Sequence, residues 1–375
     1  MRGIALLGST GSIGRSTLEV LRRQREHFRL VAMTGGSNGE LLDQQADEWR
    51  PDYVGLVNGA PSRRAGHRGP ECLIEAATHP DADIVVNAVV GAAGLEATLA
   101  ALKAGKRVAL ANKETLVIAG ELVRAAARSG GGELVPIDSE HSAVLQCVTG
   151  RGEGLSRLIL TASGGPFREW AAERIAGATV SEALNHPTWR MGNKITVDSA
   201  TLANKALELI EAHHLFGLSF DALEVVVHPQ SIIHGFAIFC DGSTLAQLGF
   251  PSMELPILYA LTHPNRIPDQ GVRRFDPLAA GSLTFEPVRS DVFRAFGAGV
   301  AAGRAGGTTP AVFNAANEVA VAAFLEGRIR FGHIAETIER VLASHQAGPA
   351  RDLGAVMAAD SWARSAALEA LEACS

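Results

Sequence analysis

The sequence predicts an α/β chain that opens on a parallel sheet, continues through an α+β region and ends in a small helical bundle. Three observations carry this. The first third alternates short β-rich runs with helical stretches, the rhythm of parallel strands joined by crossover helices. After residue 138 that rhythm changes to strand runs separated by longer and less regular gaps. From Val288 onward the chain is alanine-rich with a helical period of 3.6, as in packed bundles.

In order, Gly3–Leu7 reads as the first strand and Ser16–His27 as a helix with Leu18, Val20 and Leu21 inward. Leu30–Met33, Tyr53–Val57, Ile84–Val90, Val108–Ala111 and Leu134–Ile137 are the following strands. Helices are expected near Glu40–Trp49, Leu95–Ala104 and Thr115–Ser129, and Pro61–Pro70 reads as a surface excursion. The second region offers strands at Leu158–Thr161, Glu224–Val227, Ile232–Phe239 and Thr244–Leu248, with a helix over Ser199–His213. Pro264, Pro268 and Pro277 mark a linker. Helices at Val292–Ala302, Pro310–Glu326, Ile334–Ser344 and Trp362–Glu372 complete the tail. The expected domains are therefore 1–138 and 139–262, a linker over 263–288, and 289–375.

At 375 residues the chain is too long for one ordinary domain. Its 47% hydrophobic and 20% charged residues suit a globular protein with a large core. A net charge of −6 without like-charge blocks argues against a nucleic-acid or membrane-surface partner. Any phosphate site must then be a local pocket. Cys72, Cys147, Cys240 and Cys374 show no CxxC spacing, so neither a zinc motif nor a disulfide framework is expected, and a cytoplasmic setting fits. The opening MRGIALLGST leads straight into a strand, so no leader segment is expected. Apolar runs fall short of the ~20 residues a membrane span needs.

The turn after the first strand is Gly8-Ser-Thr-Gly11-Ser-Ile-Gly14. Glycines let the backbone approach a pyrophosphate, and the following helix offers free N–H groups. A Rossmann-like nucleotide domain follows, with a bare βα turn as the plainer reading. At the end of the second strand stands Thr34-Gly-Gly36-Ser37-Asn38, without the acid that takes the ribose 2′-hydroxyl in NAD sites. That favours NADPH, its 2′-phosphate left to the hydroxyl and amide of Ser37 and Asn38.

Asp138-Ser139-Glu140-His141 stands where the last strand of the first sheet runs out, a favoured place for ligands. On an extended chain the carboxylates at 138 and 140 point the same way and suit a hard cation, Mg²⁺ or Mn²⁺. A helix N-cap is the competing reading. Asn204, Lys205 and Glu208 share one helical face, either as a solvated stripe or as a third carboxylate beside phosphate binders, with Ser199 placed to cap that helix. Ser163-Gly-Gly165 ends a strand with a hydroxyl and a turn able to present N–H groups to an anion. The loop His186-Pro-Thr-Trp189-Arg-Met191-Gly192 reads as a lid, or as a loop whose Trp189 packs on the core. Asn112-Lys113-Glu114 follows a strand end, where Lys113 could polarise a substrate oxygen.

Together GSTGSIG (8–14), NKE (112–114), DSEH (138–141), SGGPF (163–167), HPTWRMGNKITVDSAT (186–201) and NKALE (204–208) resemble the 1-deoxy-D-xylulose 5-phosphate reductoisomerase family. HPQSIIHG (228–235), AQLG (246–249) and NAANEVAVAAFL (314–325) extend the resemblance over nearly the whole chain. It implies a homodimer of V-shaped subunits that rearranges 1-deoxy-D-xylulose 5-phosphate and reduces the product with NADPH to 2-C-methyl-D-erythritol 4-phosphate. Both a retro-aldol/aldol route and a direct α-ketol shift fit. Asp138, Glu140 and Glu208 match the ligands of a divalent cation, Mn²⁺ or Mg²⁺, with Co²⁺ a further candidate. Thr10, Gly11, Ser12, Ile13, Gly36, Ser37, Asn38, Asn112, Glu114 and Gly192 match the cofactor contacts. Lys113, Ser139, Glu140, Ser163, His186, Ser199, Asn204, Lys205 and Glu208 match the substrate side, and His186, Trp189 and Met191 the lid. Two positions depart from the family pattern: Ser37 replaces a basic residue of some members, and Ala206 a common glycine. The rivals are a simple NADP-dependent dehydrogenase, which needs no metal, and a silent NADP sensor, which shows no turnover.

Overall fold

The structure, a computed structural model, describes residues 1–151 and 154–372. Cys374 lies outside the described residues. The first elements in the chain are β1 (Arg2–Leu7), α1 (Ser12–Arg23), β2 (Phe28–Gly35), α2 (Gly39–Trp49), β3 (Tyr53–Leu56), β4 (His67–Arg68) and α3 (Glu71–Ala77). They continue as β5 (Ile84–Asn87), α4 (Leu95–Lys103), β6 (Arg107–Leu110), α5 (Lys113–Gly130), β7 (Glu133–Pro136) and α6 (Ser139–Val148). The seven strands form one sheet in the order β4-β3-β2-β1-β5-β6-β7, with all neighbouring strands parallel. Ile4 to Leu7, Val31 to Met33 and Ile84 to Val86 are fully buried, as expected of strands covered on both faces.

Two of the boundaries that differ from expectation have clear local causes. The first helix begins at Ser12 rather than Ser16, because Arg15 N–H already donates to Gly11 C=O at 3.0 Å. The strand expected to reach Val90 stops at Asn87. There the Asn87 amide donates to Gly94 C=O (2.9 Å) and Thr98 Oγ1 (2.8 Å) while its oxygen accepts from Val89 N–H (3.1 Å), curling the chain off the sheet. The excursion at 61–70 contributes the two-residue edge strand β4.

The next elements are β8 (Leu155–Ala162), α7 (Ala172–Ile175), α8 (Val180–Leu184), α9 (Asn193–Ala200), α10 (Ala203–Phe216), β9 (Leu223–Val227), β10 (Ile233–Phe239) and β11 (Thr244–Leu248). After α11 (Glu254–Thr262) come α12 (Pro277–Ala280), β12 (Glu286–Pro287), α13 (Arg294–Ala305), α14 (Thr309–Leu325), α15 (Gly332–Ser344) and α16 (Leu353–Glu372). The second sheet runs β11-β10-β8-β9-β12, with β8 antiparallel to β10 and parallel to β9. The last helix begins at Leu353, well before the expected Trp362. The single helix expected over Ser199–His213 is two, broken at Leu202, whose φ of 58° is left-handed. Ser199 therefore sits in the last turn of α9 and caps nothing, a correction to the sequence reading.

The contacts divide the chain into two compact units elsewhere than after residues 138 and 262. One comprises Met1–Thr115, Gly120–Thr149 and Ser252–Arg274; the other Leu116–Ala119, Gly150–Pro251 and Phe275–Ser375. The proline-rich stretch expected as linker returns in part to the first unit. Ile257, Leu258, Ala260 and Leu261 of α11 belong to its core, and Arg23 pairs with Glu254 (2.7 Å) and Asp269 (2.8 Å). In the second unit the sheet flank and the C-terminal helices share one core, including Phe167, Val197, Leu207, Phe313 and Phe324. Among the described residues no helix is long and apolar enough to cross a membrane.

Candidate active site

The expected site residues are divided between the two units. In the first, the glycine turn is tied to β2: Gly8 N–H and Ser9 N–H both donate to Thr34 C=O, at 3.0 and 2.8 Å. Gly8 has φ +83°, and Gly14 packs so tightly that an added Cβ would lie 2.2 Å from Gly8 C=O. Among the described residues no side chain caps α1, so its first N–H groups face outward beside the turn. Ser9 and Gln45, both buried, bond reciprocally: Ser9 Oγ–H donates to Oε1 at 2.8 Å, and Nε2–H donates to Ser9 C=O at 3.1 Å. That brace was invisible to a motif search, because Gln45 lies in α2. Gly36 is partly exposed and Ser37 and Asn38 are exposed, while Asn38 Oδ1 caps α2 by accepting from Leu41 N–H at 3.0 Å.

Asn112 is 2% exposed and its side chain is fully committed. The amide donates to Val89 C=O (2.6 Å), Gly91 C=O (2.8 Å) and Glu114 Oε2 (3.1 Å), and its oxygen caps α5 through Thr115 N–H (2.9 Å). It braces the ends of β5 and β6 and so sets Lys113 at the first position of α5, where Nζ is ion-paired with Asp138. Asp138 is not on an extended chain: it is the N-cap of α6, Oδ1 accepting from Glu140 N–H at 3.2 Å. The helix-cap reading is the correct local one, and it does not remove the metal chemistry. Carboxylate oxygens of Asp138 and Glu140 lie within 4.8 Å of each other. Ser139 Oγ–H donates to Glu140 Oε2 at 2.6 Å, and His141 Nδ1 lies 3.2 Å from Asp138 Oδ1.

In the second unit Ser163, His186 and Ser199 come together. Gly164 and Gly165 take φ +84° and +65°, and a Cβ on Gly165 would lie 2.6 Å from Ser199 C=O, so the turn rests on the end of α9. His186 Nδ1 accepts from Thr188 N–H (3.1 Å) and Trp189 N–H (2.9 Å). The ring proton therefore sits on Nε2, which donates to Ser163 Oγ at 3.0 Å. Ser163 Oγ also accepts from Gly165 N–H at 3.2 Å, which turns its own O–H outward as a donor. Burial pushes the His186 imidazole down to about 4, keeping it neutral. In the expected lid the Trp189 ring meets His234 edge-on, centroids 6.2 Å apart, and Met191 is half-buried.

On α10, Glu208 is 1% exposed and receives Asn204 Nδ2–H at 2.5 Å and the Lys205 ammonium. The three share a face as their spacing predicts, and burial rules out the solvated stripe. Asp198, also buried, takes Lys194 (2.9 Å) and Asn317 Nδ2–H (2.8 Å), tying α9 to α14. Sequence reading passed over Asp198 as a tie because its partner lies 119 residues away.

The neutral imidazole yields a pH prediction. With its folded pKa near 4 and an unfolded value of about 6.5, the unfolded chain binds the extra proton between those values. Stability linked to His186 is thus present above about pH 6.5 and is lost as pH falls towards 4. Nitrogen NMR of the labelled imidazole should show the Nε2–H tautomer persisting below pH 5. A midpoint near 6.5 would contradict the burial.

Sequence-family profiles described as 1-deoxy-D-xylulose 5-phosphate reductoisomerase match residues 4–120, and those of its C-terminal domains match 134–216 and 248–366. A protein of that name from Geobacter sp. (strain M21) is 49% identical, covering 99% of each chain. One from Symbiobacterium thermophilum is 49% identical over 98% of each. Among solved structures, a DOX-P reductoisomerase in complex with NADPH, fosmidomycin and magnesium aligns with TM-score 0.92 at 39% identity, covering 99% of this chain and 98% of the other. The Zymomonas mobilis enzyme in complex with NADPH aligns at 0.91 and 40%, covering 99% of both.

Proposed function

The chain belongs to the 1-deoxy-D-xylulose 5-phosphate reductoisomerase family, and from that membership we propose how its own residues serve the NADPH-dependent conversion of 1-deoxy-D-xylulose 5-phosphate to 2-C-methyl-D-erythritol 4-phosphate in isoprenoid biosynthesis. We assign Asp138, Glu140 and Glu208 to a divalent cation. The donor set fits: all three are carboxylates, the hard oxygen ligands that Mg²⁺ and Mn²⁺ take. The observation that supports this is the close Asp138–Glu140 pair at the carboxyl end of a parallel sheet, two hard oxygen donors set side by side where ligands bind such sheets. A cation held there supplies Lewis-acid polarisation of the substrate's oxygens, and NADPH supplies the hydride.

The other roles belong to the protein. The uncapped start of α1 and the turn from Thr10 to Ile13 suit a pyrophosphate, and Gly36, Ser37, Asn38, Glu114 and Gly192 complete the cofactor's surroundings. Asn112 contributes by bracing, its side chain being already engaged. Lys113 stabilises negative charge as it develops on a substrate oxygen, and Ser139 orients Glu140. Ser163, Ser199, Asn204 and Lys205 bind the substrate phosphate, with His186 fixing the direction of the Ser163 hydroxyl. Trp189 and Met191 exclude water when the loop closes. Phosphate bound away from the reacting carbons fixes their orientation.

Lys205→Ala and Ser199→Ala test the phosphate assignment. Each should raise KM for the substrate by roughly tenfold or more, since a charge-assisted hydrogen bond contributes about 1.5–3 kcal/mol, with a smaller effect on kcat. An unchanged KM in both would remove these residues from the phosphate site. We also assign a cytoplasmic homodimer. The free edge of β11 in the second sheet is a surface that a second copy can cover. Sedimentation at twice the 39.3 kDa chain mass would support it, and the single-chain mass would refute it.

A further inference from the structure

NADPH differs from NADH by a 2′-phosphate, a phosphomonoester carrying about −1.5 to −2 charges at neutral pH. The turn that should meet it, Thr34-Gly-Gly-Ser-Asn38, holds no lysine or arginine, and Asn38 already spends its side-chain oxygen on α2. The compensating charge must come from a neighbouring segment.

One segment lies directly against this turn. Val57 N–H and Asn58 N–H donate to Gly35 C=O and Gly36 C=O, each at 3.0 Å. Further on, Pro61 C=O touches the first residue of α2 so closely that a Cβ on Gly39 would lie 1.9 Å from it. Arg68 reaches into this loop from β4. Its Cα stands in one row with Leu56 and Gly35 across the sheet. Its guanidinium turns back, Nη1–H donating to Ala60 C=O at 2.9 Å and Nη2–H to Ser62 C=O at 3.1 Å. Arg63 and Arg64, in the same loop, are neutralised by Asp43 and Asp47. Arg68 has no carboxylate partner among the described residues, and two carbonyls leave part of its five-donor fork unused.

We propose that Arg68 supplies the cation that binds the 2′-phosphate, and so selects NADPH over NADH. This rests on the glycine turn holding the nucleotide. The guanidinium is anchored by neutral carbonyls, which fix its position without cancelling its charge. A phosphate beside Ser37 and Asn38 would then meet a hydroxyl, the N–H groups at the start of α2 and a fixed cation.

The test uses calorimetric titration of the whole protein with 2′,5′-ADP and with ADP, and kcat/KM for NADPH against NADH. Relative to the parent, R68Q should weaken 2′,5′-ADP by about tenfold to a hundredfold, the worth of one charge-assisted contact. It should leave ADP affinity within about twofold of the parent and lower the NADPH-to-NADH ratio in step, whereas R68K should retain most of the selectivity. Equal weakening of both nucleotides by R68Q would reduce Arg68 to a loop support. Full selectivity in R68Q, with its loss in R15Q, would move the cation to Arg15 on α1 and overturn the proposal. If the parent protein bound neither nucleotide, the glycine-turn reading itself would fail, and that result is distinct from the other two.

Discussion

Glu208→Gln is expected to lower turnover of 1-deoxy-D-xylulose 5-phosphate by about a thousandfold or more, the several kcal/mol that a catalytic cation contributes to charge stabilisation. Glu208 is almost wholly buried on α10 and holds Asn204 and Lys205 on either side. Glutamine keeps the shape and one acceptor oxygen for those neighbours. What it removes is the negative charge, on which a divalent cation depends most. NADPH affinity should stay close to that of the parent, because the glycine turn and the β2 turn lie in the other unit's sequence segments. Lys205→Ala provides the contrast, acting mainly on KM. A variant that melts far below the parent would point instead to the cost of leaving Lys205 buried without its partner, about 3–5 kcal/mol. Thermal unfolding of each variant separates the two causes. Retained turnover in Glu208→Gln would reject the metal assignment outright.

The second large effect lies in the nucleotide turn. In Gly14→Ala the new methyl would meet Gly8 C=O at 2.2 Å and the Ser9 backbone at 2.6 Å. These are main-chain atoms held to β2 by two hydrogen bonds, so no side chain can swing away. The turn itself must move, and with it the N–H groups that we assign to the pyrophosphate. Overpacking of this kind costs about 1–3 kcal/mol of stability, and displacing several phosphate contacts at once should weaken NADPH by about a hundredfold or more. Gly177→Ala serves as control, since the nearest atom to its added methyl is 3.9 Å away. Fluorescence titration with NADPH together with a melting curve checks both effects. Equal affinities in the two variants would show that the turn tolerates a side chain and that its glycines serve some other end.

Much of this was legible in the sequence because short-range chemistry wrote it into the chain. The parallel strands announce themselves through buried runs such as Ile84-Val-Val, and the nucleotide turn through three glycines at one junction. The Asn204, Lys205 and Glu208 face follows from helical spacing alone. What sequence reading missed depends on distance or on one dihedral. The break between α9 and α10 turns on the single left-handed Leu202, a residue type that gives no warning. Asp138 and Glu140 are near one another through a helix cap and not through strand alternation, so the geometry that brings them close is not the one the sequence suggested. The proline-rich stretch after α11 was legible as irregular but not as part of the first unit, since Arg23 reaches Glu254 and Asp269 across more than two hundred residues. Arg68 was hidden for a similar reason: its meaning lies in the strand pairing that sets it beside the β2 turn.

The metal centre is tested most directly by following NADPH oxidation with 1-deoxy-D-xylulose 5-phosphate in the presence of EDTA, then adding back Mg²⁺ or Mn²⁺. Oxidation should be absent under EDTA, return with either cation in the parent protein, and stay absent in Glu208→Gln. Undiminished oxidation under EDTA would contradict a cation held by Asp138, Glu140 and Glu208.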